Sequence, residues 1–301
     1  MSLPAGLVFL LVPCCLAADA QTDRILARLA EEAAAFLRVA PFALSEETLV
    51  QKTSTAPSLL RPGGGAARRT KAGDGSGTRV IVSEYGFSTF ADSPNALHEI
   101  RQVISVDGRQ VRNRESARLS LSLGSRSQDD RVKRRMLREL ENYGLKSAVL
   151  DLGQLLLLFA PSRLNDYVFE LKERSLTPPA AVLIYNFRQV RGEEAVTIFE
   201  GRTAQRQPIQ GELWAREQDG LPLRVAIRTE RVQGGHRSRH EATVDYAVSP
   251  YGVLLPSAVV HREYLDDRLE VENLFSYAPF RKFGAETQIK FDEAPAEEIP
   301  R

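Results

Sequence analysis

The strongest constraint on this chain is the succession of short strand-like segments from Tyr167 to its end. "DYVFELKER", "AAVLIYNFRQV", "AVTIFEGR", "IQGELWARE", "LRVAIRTERV", "RHEATVDYAV", "GVLLPSAVVHREYL", "RLEVENLFSYAPF" and "TQIKFDE" follow one another. Turn chemistry stands between them: Arg191-Gly192, Asp219-Gly220, Gly234-Gly235, Pro250-Tyr251-Gly252 and Asp266-Asp267. β-branched and aromatic runs separated by residues that accept positive φ predict an antiparallel meander. Within "LEVENLFSY", Leu269, Val271, Asn273, Phe275 and Tyr277 share one face. In "LRVAIRTERV", Leu223, Val225 and Ile227 oppose Arg224, Ala226 and Arg228. One apolar face and one mixed face describe a sheet covered on one side. Pro256 inside a strand requires an edge or a bulge.

Elements able to cover that sheet lie upstream. "TDRILARLAEEAAAFLRVAPF" has helical periodicity, with Ile25, Leu26, Leu29, Ala33, Phe36 and Leu37 on one stripe. Thr22 or Asp23 is expected to cap it, and Pro41 to end it. Strands are expected in "SEETLVQKTS" and "TRVIVSEYGFSTF", and a hairpin in "LHEIRQVISVDGRQV" at Asp107-Gly108. "SQDDRVKRRMLRELENYG" predicts a helix capped by Ser127, burying Val132, Met136, Leu137 and Leu140 and ending at Gly144. "VLDLGQLLLLFAPSRLNDY" fits a short buried helix or a buried strand, with Pro161 favouring the helix. Thr55 to Gly77 is rich in Gly, Ala, Arg and Pro and reads as a mobile loop. Its Arg61, Arg68, Arg69 and Lys71 are read as a solvated insertion rather than a membrane contact.

The resulting class is α+β, mainly antiparallel β: a curved open sheet packed on a few helices. The expected layout is a signal peptide over 1–20 and a half-barrel domain over 21–292. That domain carries the mobile loop 55–77 and a helical insertion over 127–165, and a tail covers 293–301.

The signal peptide rests on "LVFLLV" followed by small residues, with Ala18-Asp19-Ala20 placing cleavage before Gln21. The apolar run is too short for a membrane span. No transmembrane span is expected in the mature chain, which would be periplasmic or secreted. Both cysteines, Cys14 and Cys15, fall inside this segment, so the mature chain would have neither disulfide nor thiolate site. Pro13 fits poorly before a lipidated cysteine. A net charge of +1 gives no reason to expect a nucleic-acid partner.

Residues able to carry chemistry are sparse. His236 and His240 are four apart, but in a strand that separates them by roughly 13 Å. The helical metalloprotease pattern with its glutamate is missing. His98 and His261 read as ordinary strand residues. "GDGSG" (Gly73 to Gly77) is neither a nucleophile elbow nor a phosphate cradle. No catalytic residue, metal or cofactor is assigned, and a hydrolase is a distant third reading.

Trp214, the only tryptophan, could line an apolar pocket or belong to the sheet core. Phe199, Tyr246, Phe275 and Tyr277 carry the same ambiguity. Trp214, Phe199, Ile227, Tyr246 and Phe275 are the five candidate ligand contacts.

Three stretches carry a resemblance. "GELWAREQDGLPLRVAIRTE" is similar to the G-x-hydrophobic-W…P-hydrophobic-R strand pair of periplasmic lipoprotein carriers. "VDYAVSPYGVLLPSAVV" resembles their Y…(F/Y)G-x-x-hydrophobic-P stretch. "FSYAPFRKFGAETQIKF" resembles the closing Y-x-x-(Y/F)-R-x-F strand of related bacterial proteins. The resemblance is to the LolA/LolB-like half-barrel superfamily and spans roughly Glu200 to Asp292. It implies an open curved sheet wrapping helices, with an apolar concavity for acyl chains. The superfamily includes lipoprotein carriers, a stress-sensing regulator and secreted proteins. The longer helical section and the Gly/Arg-rich loop depart from the carriers. The function expected is non-enzymatic binding of an acyl chain, lipid or lipidated partner. The alternative is an envelope interaction or sensor module with a self-filled concavity and no ligand.

Overall fold

A computed structural model describes residues 14–54, 77–145, 151–176, 180–192, 196–200 and 203–282. Most of the expected signal peptide, the loop after Ser54, the strand "TQIKFDE" and the tail lie outside the described residues.

The described residues begin with α1 (Cys14–Val39) and a 3₁₀ turn at Ala40–Phe42. Then come β1 (Ala43–Thr53), β2 (Gly77–Phe90), β3 (Ser93–Val106) and β4 (Arg109–Gln110). The helices α2 (Arg114–Ser125) and α3 (Asp130–Leu137) follow, with 3₁₀ turns at Glu139–Tyr143, Leu155–Phe159 and Leu164–Asp166. The second half is β5 (Tyr167–Ser175), β6 (Val182–Gln189), β7 (Val196–Glu200), β8 (Thr203–Gln207), β9 (Gln210–Arg216) and β10 (Pro222–Gln233). It ends with β11 (His236–Val248), β12 (Leu254–Leu265), β13 (Arg268–Tyr277) and β14 (Arg281–Lys282).

Twelve strands form one antiparallel sheet in the order β4-β3-β2-β1-β13-β12-β11-β10-β9-β6-β5, with β14 beside β1. The order does not close, so the sheet is open, as expected of a half-barrel. β7 and β8 form a separate ribbon.

The turns explain the meander. Asp107 and Gly108 both have positive φ, as do Asp266 and Asp267, and Gly234 and Gly235. Such pairs match the twist of the strands they join. Register shifts bend the sheet. One falls where Asp245 faces Ala258 and Tyr246 faces Pro256, leaving Ser257 as the extra residue. Pairing with β13 begins only at Ala258. Pro256, which has no N–H to donate, therefore sits in a central strand without breaking its ladder.

α1 fills the concave side. Ile25, Leu29, Ala33 and Phe36 are fully buried against the sheet. Leu37 departs from the expected stripe and is 38% exposed. Thr22 and Asp23 lie inside the helix rather than capping it, because it already runs from Cys14 through the expected cleavage point. None of the described helices is long and apolar enough to cross a membrane.

α2, absent from the sequence expectation, covers the opposite face near β1–β3. Its Ala117, Leu121 and Gly124 are buried, and Leu121 joins Leu44, Ile100 and Met136 in a second, smaller core. α3 begins at Asp129, whose carboxylate accepts the Arg131 N–H at 2.9 Å. Ser127 instead accepts the Asp129 N–H at 3.0 Å, so it supports the cap from one step outside.

Candidate functional site

The chain's own segment 151–160 occupies the concave face of the sheet. Leu152, Leu155, Leu156, Leu158 and Phe159 are buried in the same core as α1 and the inward residues of the sheet. This segment is a plug built around a short buried 3₁₀ helix, Leu155–Phe159, so of the helix and strand readings the helix is the nearer. Short 3₁₀ turns have poor intrinsic stability. The plug's conformation is therefore set by what holds it.

Four side chains hold it. Glu99 Oε1 accepts the Gly153 N–H at 2.5 Å. Tyr246 Oη accepts the Leu156 N–H at 2.9 Å and donates to the Gly153 carbonyl at 3.3 Å. Gln154 donates to the Leu97 carbonyl at 2.7 Å. Asp151 accepts the Glu99 N–H at 2.8 Å and meets His98 Nδ1 at 2.9 Å. Gly153 is required for the close approach. A Cβ there would stand 2.8 Å from Tyr85 Oη and 3.0 Å from Glu99 Oε1.

Behind Glu99 lies a buried ion cluster. Arg101 donates to both Glu47 oxygens, at 2.8 and 2.9 Å, and to Glu99 Oε2 at 2.6 Å. The three side chains are 1–2% exposed. The Arg101 guanidinium lies 5.0 Å from the Tyr85 ring centre and 5.8 Å from that of Phe275.

Burial pushes the Glu99 carboxyl up to about 8. Arg101 opposes that rise, and the charges of Asp151 and Glu47 add to it. The bidentate Glu47 carboxylate is the principal partner of Arg101, and Glu99 takes a single bond from it. Burial pulls the Arg101 pKa down, but Glu47 and Glu99 outweigh it and hold it well above its ordinary value. Tyr85 and Tyr277 are raised chiefly by burial and stay neutral phenols.

A second polar row crosses the concave face. Gln51 donates to Asn273 at 2.7 Å, and Asn273 meets His261 Nδ1 at 3.2 Å. His261 Nε2 faces His240 Nδ1 at 3.4 Å, with the rings nearly parallel. Burial, and then the neighbouring His240, lower the His261 pKa to about 3, so its imidazole is neutral. Among the described residues no three His, Cys, Asp or Glu side chains are placed to hold a metal ion. His236 is separate, in an exposed turn with Asp266.

Of the five residues expected to contact ligand, Ile227, Tyr246 and Phe275 are buried in the concave core. Only Tyr246 touches the plug's backbone. Trp214 lies away from them: its neighbours Leu213 and Ala215 point into the core, so strand alternation sends Trp214 to the outer face. There the Arg224 guanidinium lies 5.7 Å from its ring centre. Phe199 belongs to β7 in the separate ribbon, and its side chain is outside the described residues. Glu47, Glu99, Arg101, Asp151 and Gly153 escaped sequence reasoning. The available signal was parity, since Leu97, Glu99, Arg101 and Val103 alternate onto one side of β3 and all are buried.

An open cleft of about 600 Å³ lies on the outer face around Gly211, lined among others by Glu170, Arg188, Glu212, Arg228 and Glu241. Val168, Phe187, Ala226 and Ile227 also line it, so it is mixed in character.

No family model matches the chain, and no curated protein does. Among solved structures it is similar to a DUF1329 family protein from Desulfovibrio piger. Identity there is 10%, coverage is 89% of this chain and 93% of the other, and the TM-score is 0.35. It is also similar to a putative outer membrane lipoprotein-sorting protein domain from Vibrio parahaemolyticus, at 10% identity, 89% and 95% coverage and a TM-score of 0.34. A third is MucB in complex with MucA(peri), at 12% identity, 87% and 98% coverage and a TM-score of 0.21.

Proposed function

We propose that this is a non-enzymatic protein of the bacterial envelope, periplasmic or secreted, that receives the acyl chain of a lipidated partner where segment 151–160 now lies. The observation that carries this reading is the plug itself. Five large apolar side chains, four of them on a minimal 3₁₀ turn, fill the concavity, and a few hydrogen bonds fix them there. Ile227, Tyr246 and Phe275 would line the vacated space.

The magnitudes favour a lipidated protein over a free lipid. Burying a chain of about a dozen methylenes gains roughly 10 kcal/mol. Re-exposing five large apolar side chains costs about 8–15 kcal/mol. The exchange is favourable only if the displaced plug is covered again, and a partner protein can supply that cover.

The alternative is an envelope interaction or sensor module whose concavity stays filled. The complete burial of Ile25, Leu29, Ala33 and Phe36 beside the plug favours it.

One experiment separates the two. The purified full chain is extracted and its lipids identified by mass spectrometry, and a fluorescent fatty acid is titrated into wild type and Tyr246→Phe. Acyl binding that tightens in Tyr246→Phe supports displacement of the plug. No co-purified lipid, with no binding by either protein, overturns the acyl reading and leaves the self-filled module.

A further inference from the structure

Between residues 109 and 138 the chain holds ten Lys/Arg against three Asp/Glu, while its overall net charge is only +1. This basic stretch contains α2 and α3. The core-facing side of α2 is satisfied by Ala117, Leu121 and Gly124. On the other side Leu119 is 61% and Leu123 65% exposed. They are four residues apart and so stack one turn above the other, with Arg126 about one turn further along the same face. Val111, just before the helix, is 50% exposed.

α3 packs beside α2, where a Cβ on Gly124 would collide with Met136. Arg131, Arg134, Arg135 and Arg138 are exposed on or just after it. Arg131 pairs with its neighbour Asp129, and Arg134 with Asp92, both at the surface, where such pairs hold weakly. Arg109, Arg135 and Arg138 pair with no carboxylate among the described residues.

We infer that α2 and α3 form a docking surface for an anionic phospholipid bilayer. Leu119 and Leu123 enter the acyl boundary, and the arginines meet lipid phosphates. The charge selects an anionic partner. The exposed leucine pair selects one with an apolar layer directly beneath its charge. At twelve residues α2 is too short to span a bilayer, so it lies along the interface. This surface is on the opposite side of the sheet from the plug, and the inference stands apart from the acyl-chain reading.

The test is co-sedimentation of the full chain with vesicles of phosphatidylglycerol and phosphatidylcholine, against phosphatidylcholine alone. Wild type partitions onto the anionic vesicles, and added salt weakens it. Each arginine neutralised lowers partitioning about fivefold, so Arg131→Gln/Arg135→Gln/Arg138→Gln lowers it on the order of a hundredfold. Leu119→Ser/Leu123→Ser lowers it while leaving the salt dependence intact. All these side chains are exposed, and unchanged melting confirms that both variants fold. Two results overturn the inference. One is a wild type that ignores anionic vesicles at low ionic strength, which leaves an acidic protein as the partner of this face. The other is equal partitioning of wild type and both variants, which places any membrane contact elsewhere in the chain.

Discussion

Glu99 joins the sheet to the plug: one carboxyl oxygen accepts the Gly153 N–H at 2.5 Å and the other accepts from Arg101 at 2.6 Å. A single protonation site thus lies between a buried cation and the segment that fills the concavity. Because burial raises the folded-state pKa to about 8 from an ordinary 4.5, the native state binds more protons than the unfolded chain between those values. Stability therefore falls as pH rises through this window and levels off above it. The expected loss is roughly 2–5 kcal/mol. Thermal melts of wild type from pH 6.5 to 9 should show a falling midpoint, and Glu99→Gln should flatten that slope. A wild-type midpoint constant across the range contradicts the assignment.

His261 contributes on the acid side. Its folded-state pKa lies near 3, against an ordinary 6.5, because burial and His240 disfavour the imidazolium. Unfolding exposes a site that takes up a proton below about 6.5, so stability is lost as pH falls from there towards 3. His261→Gln removes this titration, and its melting midpoint should vary less between pH 6 and 4 than that of wild type. Identical acid slopes in the two proteins would count against a neutral buried His261.

Arg101 neutralises a pocket that holds two carboxyl groups. Arg101→Met leaves Glu47 buried without a cation, at a cost of about 3–5 kcal/mol. Combining it with Glu47→Gln should restore part of that loss. Urea unfolding of the single and double variants checks this, and strictly additive losses argue against direct coupling.

How much of this was legible in the sequence differs between elements. The succession β5, β6 and β9–β13 was, because turn residues and alternation are local signals; the departure of β7 and β8 into their own ribbon was not. Even the bulge at Ser257 followed from Pro256, which cannot donate in a central strand. The plug was not. "DLGQLLLLF" is apolar on every side, and its place depends on contacts with Glu99 and Tyr246, respectively 54 residues before Gly153 and 90 after Leu156. The charged cluster was hidden because Glu47, Glu99 and Arg101 look like solvent-facing residues until β1 and β3 are seen to bury that parity. The face of Trp214 was not legible either, because parity says which residues share a side but not which side is inner: Glu212 and Trp214 share the outer side, and Leu213 and Ala215 the inner.

That placement makes Trp214 a reporter of the outer face. As the only tryptophan, half-buried beside Arg224, it should be open to quenching by iodide. Its emission should stay nearly constant when a fatty acid enters the concavity. Trp214→Phe should change stability by less than about 1 kcal/mol, since no core packing is lost. A large spectral shift on acyl binding would place the ligand on the outer sheet face.

Tyr246 offers the most direct test of the plug. Its hydroxyl is the partner of both the Leu156 N–H and the Gly153 carbonyl. Tyr246→Phe keeps the ring in the core and removes only the oxygen, leaving a buried N–H without an acceptor. The global cost should be about 1–3 kcal/mol. Its distribution is the more telling measurement. Hydrogen exchange should accelerate at residues 153–158 well beyond the change at β11 and β12, because a 3₁₀ turn has little else to hold it. Uniform acceleration through the sheet would instead mean that Tyr246 supports the whole core, and that the plug opens only when the protein unfolds.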